Sequence, residues 1–251
     1  LRLTMDRGWR NRGRLYRWTT SNRIETMKPT MEEIKEAVVK ILKGTWFEDP
    51  DYNLNLGGIR NDEEEKAEES GEEGEILSLQ ENTFNDWIYV AWKEGGRQRF
   101  EIFTATTDPG YSWRKDPQRK DGVGSVREGY FPSVYRLGMH GSREALVQNG
   151  PSFQVYRDNN RDKVLTLDPS TTEKGWGFNL HYMGDGTKYV NRWSGGCQGP
   201  NHKKDIDLIV SLVKKQRDAG MGDRVSYALM RSSWLGDLEW AKSDFDRING
   251  L

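Results

Sequence analysis

DWIYVAWKEGGRQRFEIFTATTD, residues 86–108, reads as strand, Gly-Gly turn, strand. WIYVAW is built almost wholly of β-branched and aromatic residues, and two glycines make a tight reversal, so the stretch predicts a β-hairpin. The first strand does not alternate apolar with polar, which predicts burial on both faces. Working outward, YNLNLGGIR (52–60) predicts an earlier strand with Leu54, Leu56 and Ile59 inward. DPG at 108–110 is a turn. GVGSVREGYFPSVYRLGMHG (122–141) and PSFQVYRD (151–158) predict short strands and turns, and SREALVQN (142–149) a short helix or a loop. The Asp/Asn/Arg cluster at 157–163 is a loop. KVLTLD (163–168), GWGFNLHYM (175–183) and RVSYALM (224–230) predict further strands. The fold class is therefore mainly β, of the α+β kind.

Helices flank this strand-rich body. TMEEIKEAVVKILKG (30–44) carries a capping-box pattern, Thr30 with Glu33, then an apolar stripe of Ile34, Val38, Ile41 and Leu42, then Gly44 as a stop. It is expected to pack on the main domain or on a partner. KKDIDLIVSLVKKQRDAG (203–220) predicts a second helix with Ile206, Ile209, Val210 and Val213 on one face, Asp205 and Asp207 as candidate caps, and Gly220 closing it. Four regions result: a basic arm (1–29), disordered or ordered by a partner; a helix and linker (30–51); the main domain (52–231); and an amphipathic tail (232–251), helical from Leu235. Within the main domain, residues 61–75 hold nine acids and one lysine, which predicts a solvated, flexible insert.

Composition removes several classes. The 10 Trp, 10 Tyr and 8 Phe can fill a core although only 34% of residues are hydrophobic. A net charge of −1 gives no field that favours nucleic acid, and no such partner is expected. No apolar run approaches the ~20 residues of a membrane span. Residues 1–29 lack the apolar core of a signal peptide. A lone cysteine excludes an internal disulfide and a multi-thiolate zinc site. KDGVGSV lacks phosphate-loop spacing. No cofactor or metal is called for, and His140, His181 and Cys197 have no short local ligand spacing.

The chemistry concentrates in GFNLHYMGDGTKYVNRWSGGCQGP, residues 177–200. Cys197 follows Ser194-Gly195-Gly196, and His181 sits on an apolar run. A free thiol ionises near pH ~8.5, so little thiolate exists at neutral pH. An adjacent imidazole removes that barrier by taking the proton and returning it to the leaving amine. The backbone amides of Gly195, Gly196 and Cys197 are candidate oxyanion donors. His140, in GMHGS, is either a hydrogen-bonded turn histidine or a substrate contact or second acid/base. Trp193 is a cleft wall or core. His202 is a surface loop residue.

His181, the spacer 182–193, then Ser194-Gly195-Gly196-Cys197 resembles the signature of L,D-transpeptidase (YkuD-like) catalytic domains. N-L-H followed by W-S-x-G-C-Q is similar to the variant found in bacteriophages and prophages. YNLNLGGIR, FNDWIYV, TTDPG, GMHG-x-REALVQ and VYRDNNRD carry the same likeness, so it runs from about residue 52 to 230. The resemblance implies a β-sandwich-like domain with a cysteine in a cleft and one helix after the cysteine loop. It implies action on peptidoglycan stem peptides through a thioester acyl-enzyme. It makes Cys197 the nucleophile and His181 the base, with the Tyr182 carbonyl orienting the imidazole. Ser194 would support the loop, and the Gly196 and Cys197 amides would form the oxyanion hole. His140, Trp193, Gln148 and Arg157 are substrate-side candidates, with Arg143 and Asp158 beside them. Two positions depart from the family: Gly195 stands where histidine is common, and Gly199 where a polar residue is common. Hydrolysis is therefore expected over cross-linking. Such a protein would be made in a host cytoplasm without a signal peptide and act at the bacterial cell wall as a virion component. The arm and helix 30–44 would dock it on other virion proteins. The rival expectations are a non-catalytic virion or peptidoglycan-binding protein on the same fold, and a cysteine amidase or transferase with another peptide-like substrate.

Overall fold

The computed structural model of the chain describes residues 28–250 apart from 63–81, 162–164 and 166. Nearly all of the expected arm, and most of the acidic insert, lie outside the described residues. Ten strands are described: β1 (Asn55–Arg60), β2 (Asp86–Glu94), β3 (Arg97–Thr106), β4 (Gly124–Val126), β5 (Gly129–His140), β6 (Arg143–Gln148), β7 (Phe153–Arg157), β8 (Glu173–Gly175), β9 (Gly199–Pro200) and β10 (Arg224–Arg231). Seven form one curled sheet in the order β6-β5-β10-β1-β2-β3-β9, and β4-β7-β8 form a second, small one. The β2–β3 hairpin turns at Gly95-Gly96, both with positive φ, as its sequence demands. Pairing is antiparallel except where β1 meets β10, with Leu56 opposite Tyr227. The architecture is mixed α+β and mainly β, with a short helix α2 (Tyr111–Lys115) following β3.

Period-two alternation sorts the central strands into two cores. Leu54, Leu56, Ile88, Val90, Phe103, Tyr227 and Leu229 fill one. Helix α3 (Lys203–Gln216) covers it with Ile206, Ile209, Val210 and Val213, and Phe153 and Val155 of the small sheet close it. Ile59, Trp87, Tyr89, Ala228 and Met230 point the other way. There they meet helix α1 (Met31–Glu36, continued by the π-helical turn Ala37–Ile41) and helix α4 (Leu238–Asn249). Residues 87–92 of β2 are buried on both faces for this reason.

The stripe Ile34, Val38, Ile41 and Leu42 is consumed within the chain, against Trp87, Met230, Trp234 and Ile248. It is therefore not a free docking face for another protein. The Thr30–Glu33 capping box forms as read, with reciprocal bonds of 2.8 and 3.3 Å. The tail helix begins at Leu238, capped by Asp237, rather than at Leu235.

Four local readings are corrected. Residues 143–148 form edge strand β6, neither helix nor loop. Its register with β5 is fixed by the two-residue turn Gly141-Ser142, and cross-strand pairing outweighs the helical leaning of REALV. The 129–140 segment is one long strand although it contains Pro132. A register shift against β10 between Val225 and Tyr227 absorbs the missing donor. Strand structure in 175–183 stops at Gly175, before Gly177 at φ +84°; Leu180 only bridges Leu146 on one side and Gln198 on the other. Leu165, Leu167 and Asp168, the described part of 163–168, carry no strand.

A buried charge network lies under the sheet's end. Arg60 donates to Asp108 at 3.0 Å, to Glu128 at 2.6 Å and to the Val126 carbonyl at 2.8 Å. Glu128 also accepts from Tyr156 at 2.7 Å and Arg231 at 3.2 Å. Two opposing carboxylates and a full set of hydrogen bonds compensate a guanidinium that is only 2% exposed. The network fixes residues 106–110, and the Gly110 amide donates to the Ser194 carbonyl at 2.9 Å. The buried charge network is thus linked by hydrogen bonds to the cysteine loop.

Candidate active site

The cysteine loop is braced from three sides. Asn82 accepts from the amides of Tyr111 and Asn191, each at 2.8 Å. Gly110 holds Ser194 as above. Ser194, fully buried, donates its hydroxyl to the Cys197 carbonyl at 2.6 Å and accepts from the Gly196 amide at 3.1 Å. This closes a turn across Ser194–Cys197 that needs glycine at 196. There φ is +122°, and a Cβ would fall 2.3 Å from the Gly124 carbonyl oxygen.

Residues 177–181 then run beside 197–198. Gln198 N donates to Asn179 O at 2.9 Å, and His181 N donates to Gln198 O at 2.9 Å. The Asn179 amide donates to Cys197 Sγ at 3.4 Å, and the thiol donates to the Gly177 carbonyl at 3.5 Å. This local ladder brings Cys197 and His181 to one cleft of about 480 Å³, which both residues line. His181 donates from Nδ1 to the Tyr182 carbonyl at 2.8 Å, leaving Nε2 as the basic nitrogen.

Burial sets both ionisations. Desolvation, with His140 adding to it, drops the His181 pKa to about 4, opposed by its bond to Tyr182. Desolvation also pushes the Cys197 thiol up, opposed in part by the Asn179 amide. At neutral pH the resting site therefore holds a neutral thiol and a neutral imidazole, not a thiolate–imidazolium pair.

Other sequence-derived candidates divide. His140 lines the cleft and stacks on His181, with ring centroids 3.9 Å apart. Trp193 lines it too, 41% exposed and edge-on to Tyr182. Arg157 reaches the wall but is committed to Glu173 at 2.7 Å and the Gly122 carbonyl at 3.3 Å. Gln148 is not a cleft residue. Its amide is spent on Phe178 N, Pro151 O and Gly175 O, so it builds the wall from behind. Arg143 lies over the Tyr182 ring at 4.2 Å. Asp158 accepts from the Arg161 amide. The Gly196 amide is already taken by Ser194, whereas the amides of Gly195 and Cys197 make no hydrogen bond among the described residues, which leaves those two as available oxyanion donors. Asp205 and Asp207 do not cap α3. The cap is His202, the Lys203 amide reaches Asp185, and Asp207 pairs with Lys203. His202 does not line the cleft.

Sequence reading missed Trp113, Trp176, Lys174 and Arg192, all of which line the cleft. Trp176 is 65% exposed, against the prior that a lone tryptophan is core. It also missed Asn179, whose backbone and side chain tie together Cys197, Gln148 and His140. Among the described residues no three His, Cys, Asp or Glu are grouped to hold a metal, and no helix is long and apolar enough to cross a membrane. Comparison with known proteins returned no matching family model, no matching curated protein and no matching solved structure, so what the site can do is read from its own geometry.

Proposed function

We propose that the chain is a cysteine-dependent enzyme of the L,D-transpeptidase (YkuD-like) type, in its bacteriophage form, acting on the stem peptides of peptidoglycan. The observation that carries this is that Cys197 and His181 both line one open cleft, with the histidine tautomer set by Tyr182. In the reaction, Cys197 Sγ bonds to an amide carbonyl carbon as its proton passes to His181 Nε2. The oxyanion is met by the Cys197 amide. His181 gives the proton to the departing nitrogen, the C–N bond breaks and a thioester remains. Water then attacks the thioester, releasing a carboxylic acid and restoring the thiol. Hydrolysis is favoured over cross-linking because Gly195, which lines the cleft, offers no side chain to seat an acceptor amine. Made in a host cytoplasm, such an enzyme would act at the cell wall, as a virion component during entry or at lysis.

The test is incubation of purified protein with peptidoglycan. Wild type is expected to release stem-peptide fragments, and Cys197→Ala to release none; equal behaviour of the two overturns the enzyme reading. The raised thiol pKa favours one rival, a non-catalytic peptidoglycan-binding or virion protein on this fold, for which the two would bind alike and release nothing.

A further inference from the structure

The two cleft histidines come from distant parts of the chain. His140 ends β5, at the turn into β6, and His181 lies beyond the small sheet. Their rings are nearly parallel, 12° apart, with centroids 3.9 Å apart. The protonation state of His140 follows from its neighbours. The Gln148 amide donates to Asn179 Oδ1 at 2.9 Å, which fixes that side chain's orientation. Asn179 Nδ2 therefore faces His140 Nδ1 at 3.1 Å, and an amide nitrogen can only donate. His140 Nδ1 must accept, so its proton sits on Nε2 and the ring is neutral. Protonating Nδ1 would set two donors against each other.

We propose that His140 is a positioning residue for His181: a neutral ring, locked by Asn179, that covers one face of the base, fixes its plane and shields it from protonation by solvent. This deepens the proposed reaction and rests on it for its purpose, though not for its test. A neutral ring stacked face to face keeps water from that side of the imidazole without placing a charge beside it. The other groups around the pair do not supply this. Cys197 is a neutral thiol, Tyr182 offers its carbonyl, and Arg143 of β6 lies over the Tyr182 ring. Burial lowers the pKa of His140 as well, in keeping with the neutral state its hydrogen bond requires.

The experiment needs no substrate. Because Cys197 is the sole cysteine of the chain, iodoacetamide reports on this site alone. Titration of His181 by NMR and the pH–rate profile of Cys197 alkylation would be compared in wild type, His140→Ala and His140→Phe. The phenyl ring keeps the stack but cannot titrate. In His140→Ala the His181 midpoint is expected to rise toward the ordinary value of 6.5, the alkylation profile to shift with it, and peptidoglycan turnover to fall roughly tenfold. His140→Phe is expected to restore all three. A His181 midpoint unchanged in His140→Ala, or one that phenylalanine does not restore, overturns the proposal. A shift of that midpoint with no turnover in any variant, wild type included, would leave the stacking role standing and sink the enzymatic reading instead.

Discussion

Gly199 is pressed against His181: a Cβ built on Gly199 would stand 1.8 Å from the His181 carbonyl oxygen. The glycine two places after Cys197 is thus an architectural requirement, because the backbones of 197–199 and 179–181 run against each other where the thiol and the imidazole share a cleft. Gly199→Ala is expected to cost about 1–3 kcal/mol of stability and to displace His181. Gly195→Ala is the control. Its Cβ meets nothing nearer than the Trp113 ring at 3.8 Å, so stability should stay within about 0.5 kcal/mol. Urea unfolding of both variants checks this, and equal losses would remove the distinction.

The depressed pKa of His181 makes stability depend on pH. The folded state holds this imidazole unprotonated down to about 4, whereas the unfolded chain takes up the proton near 6.5. The sign follows: full stability above pH 6.5, lost as pH falls toward 4, by up to about 3 kcal/mol. Asp86 works the other way over the same range, since burial, with Asp108 beside it, raises it to about 7. The imidazole is isolated by subtracting the unfolding free energies of His181→Asn from those of wild type between pH 4 and 7. A flat difference would refute the assignment.

Arg60→Met should be severely destabilising. It strands Asp108 and Glu128 without their shared cation, at an expected cost of about 3–5 kcal/mol. Because the same network anchors Gly110, which holds Ser194, Cys197 alkylation should also lose its normal profile at temperatures where the variant is still folded.

Trp176 and Arg192 line the cleft, and the guanidinium of Arg192 makes no ion pair among the described residues, lying instead 5.4 Å over the Trp113 ring. Trp176→Ala and Arg192→Ala are expected to keep the wild-type melting temperature while raising KM for peptidoglycan fragments several-fold, roughly 1 kcal/mol of lost contact each. An unchanged KM would place substrate elsewhere.

The sequence disclosed those parts of the molecule whose pattern is local. The apolar run 87–92 announced a strand buried on both faces, and Thr30 with Glu33 announced a helix start. Cys197 behind two glycines, with His181 upstream, pointed to two residues that line one cleft. What stayed hidden depends on contacts between distant residues. REALV leans toward helix until β5 lies beside it. Trp113 and Trp176 have the composition of core residues, and only the packing of the small sheet leaves them at a cleft. Asn179 carries no motif, and its importance arises from three partners that converge on it from separate segments. The stack of His140 on His181 follows from the register of β5 against β6, which no local spacing encodes.

The parallel pairing of β1 with β10 has a consequence in time. On one side Leu56 finds its neighbour in Tyr227, and β10 in turn joins β1 to β5 and β6 in the sheet. Such non-local closure makes folding slow and late. During synthesis, Cys197 emerges from the ribosome before the strand that ties His140's half of the sheet to the rest. The nascent chain therefore carries its thiol without its seat, and the site comes into being only when the sheet is completed.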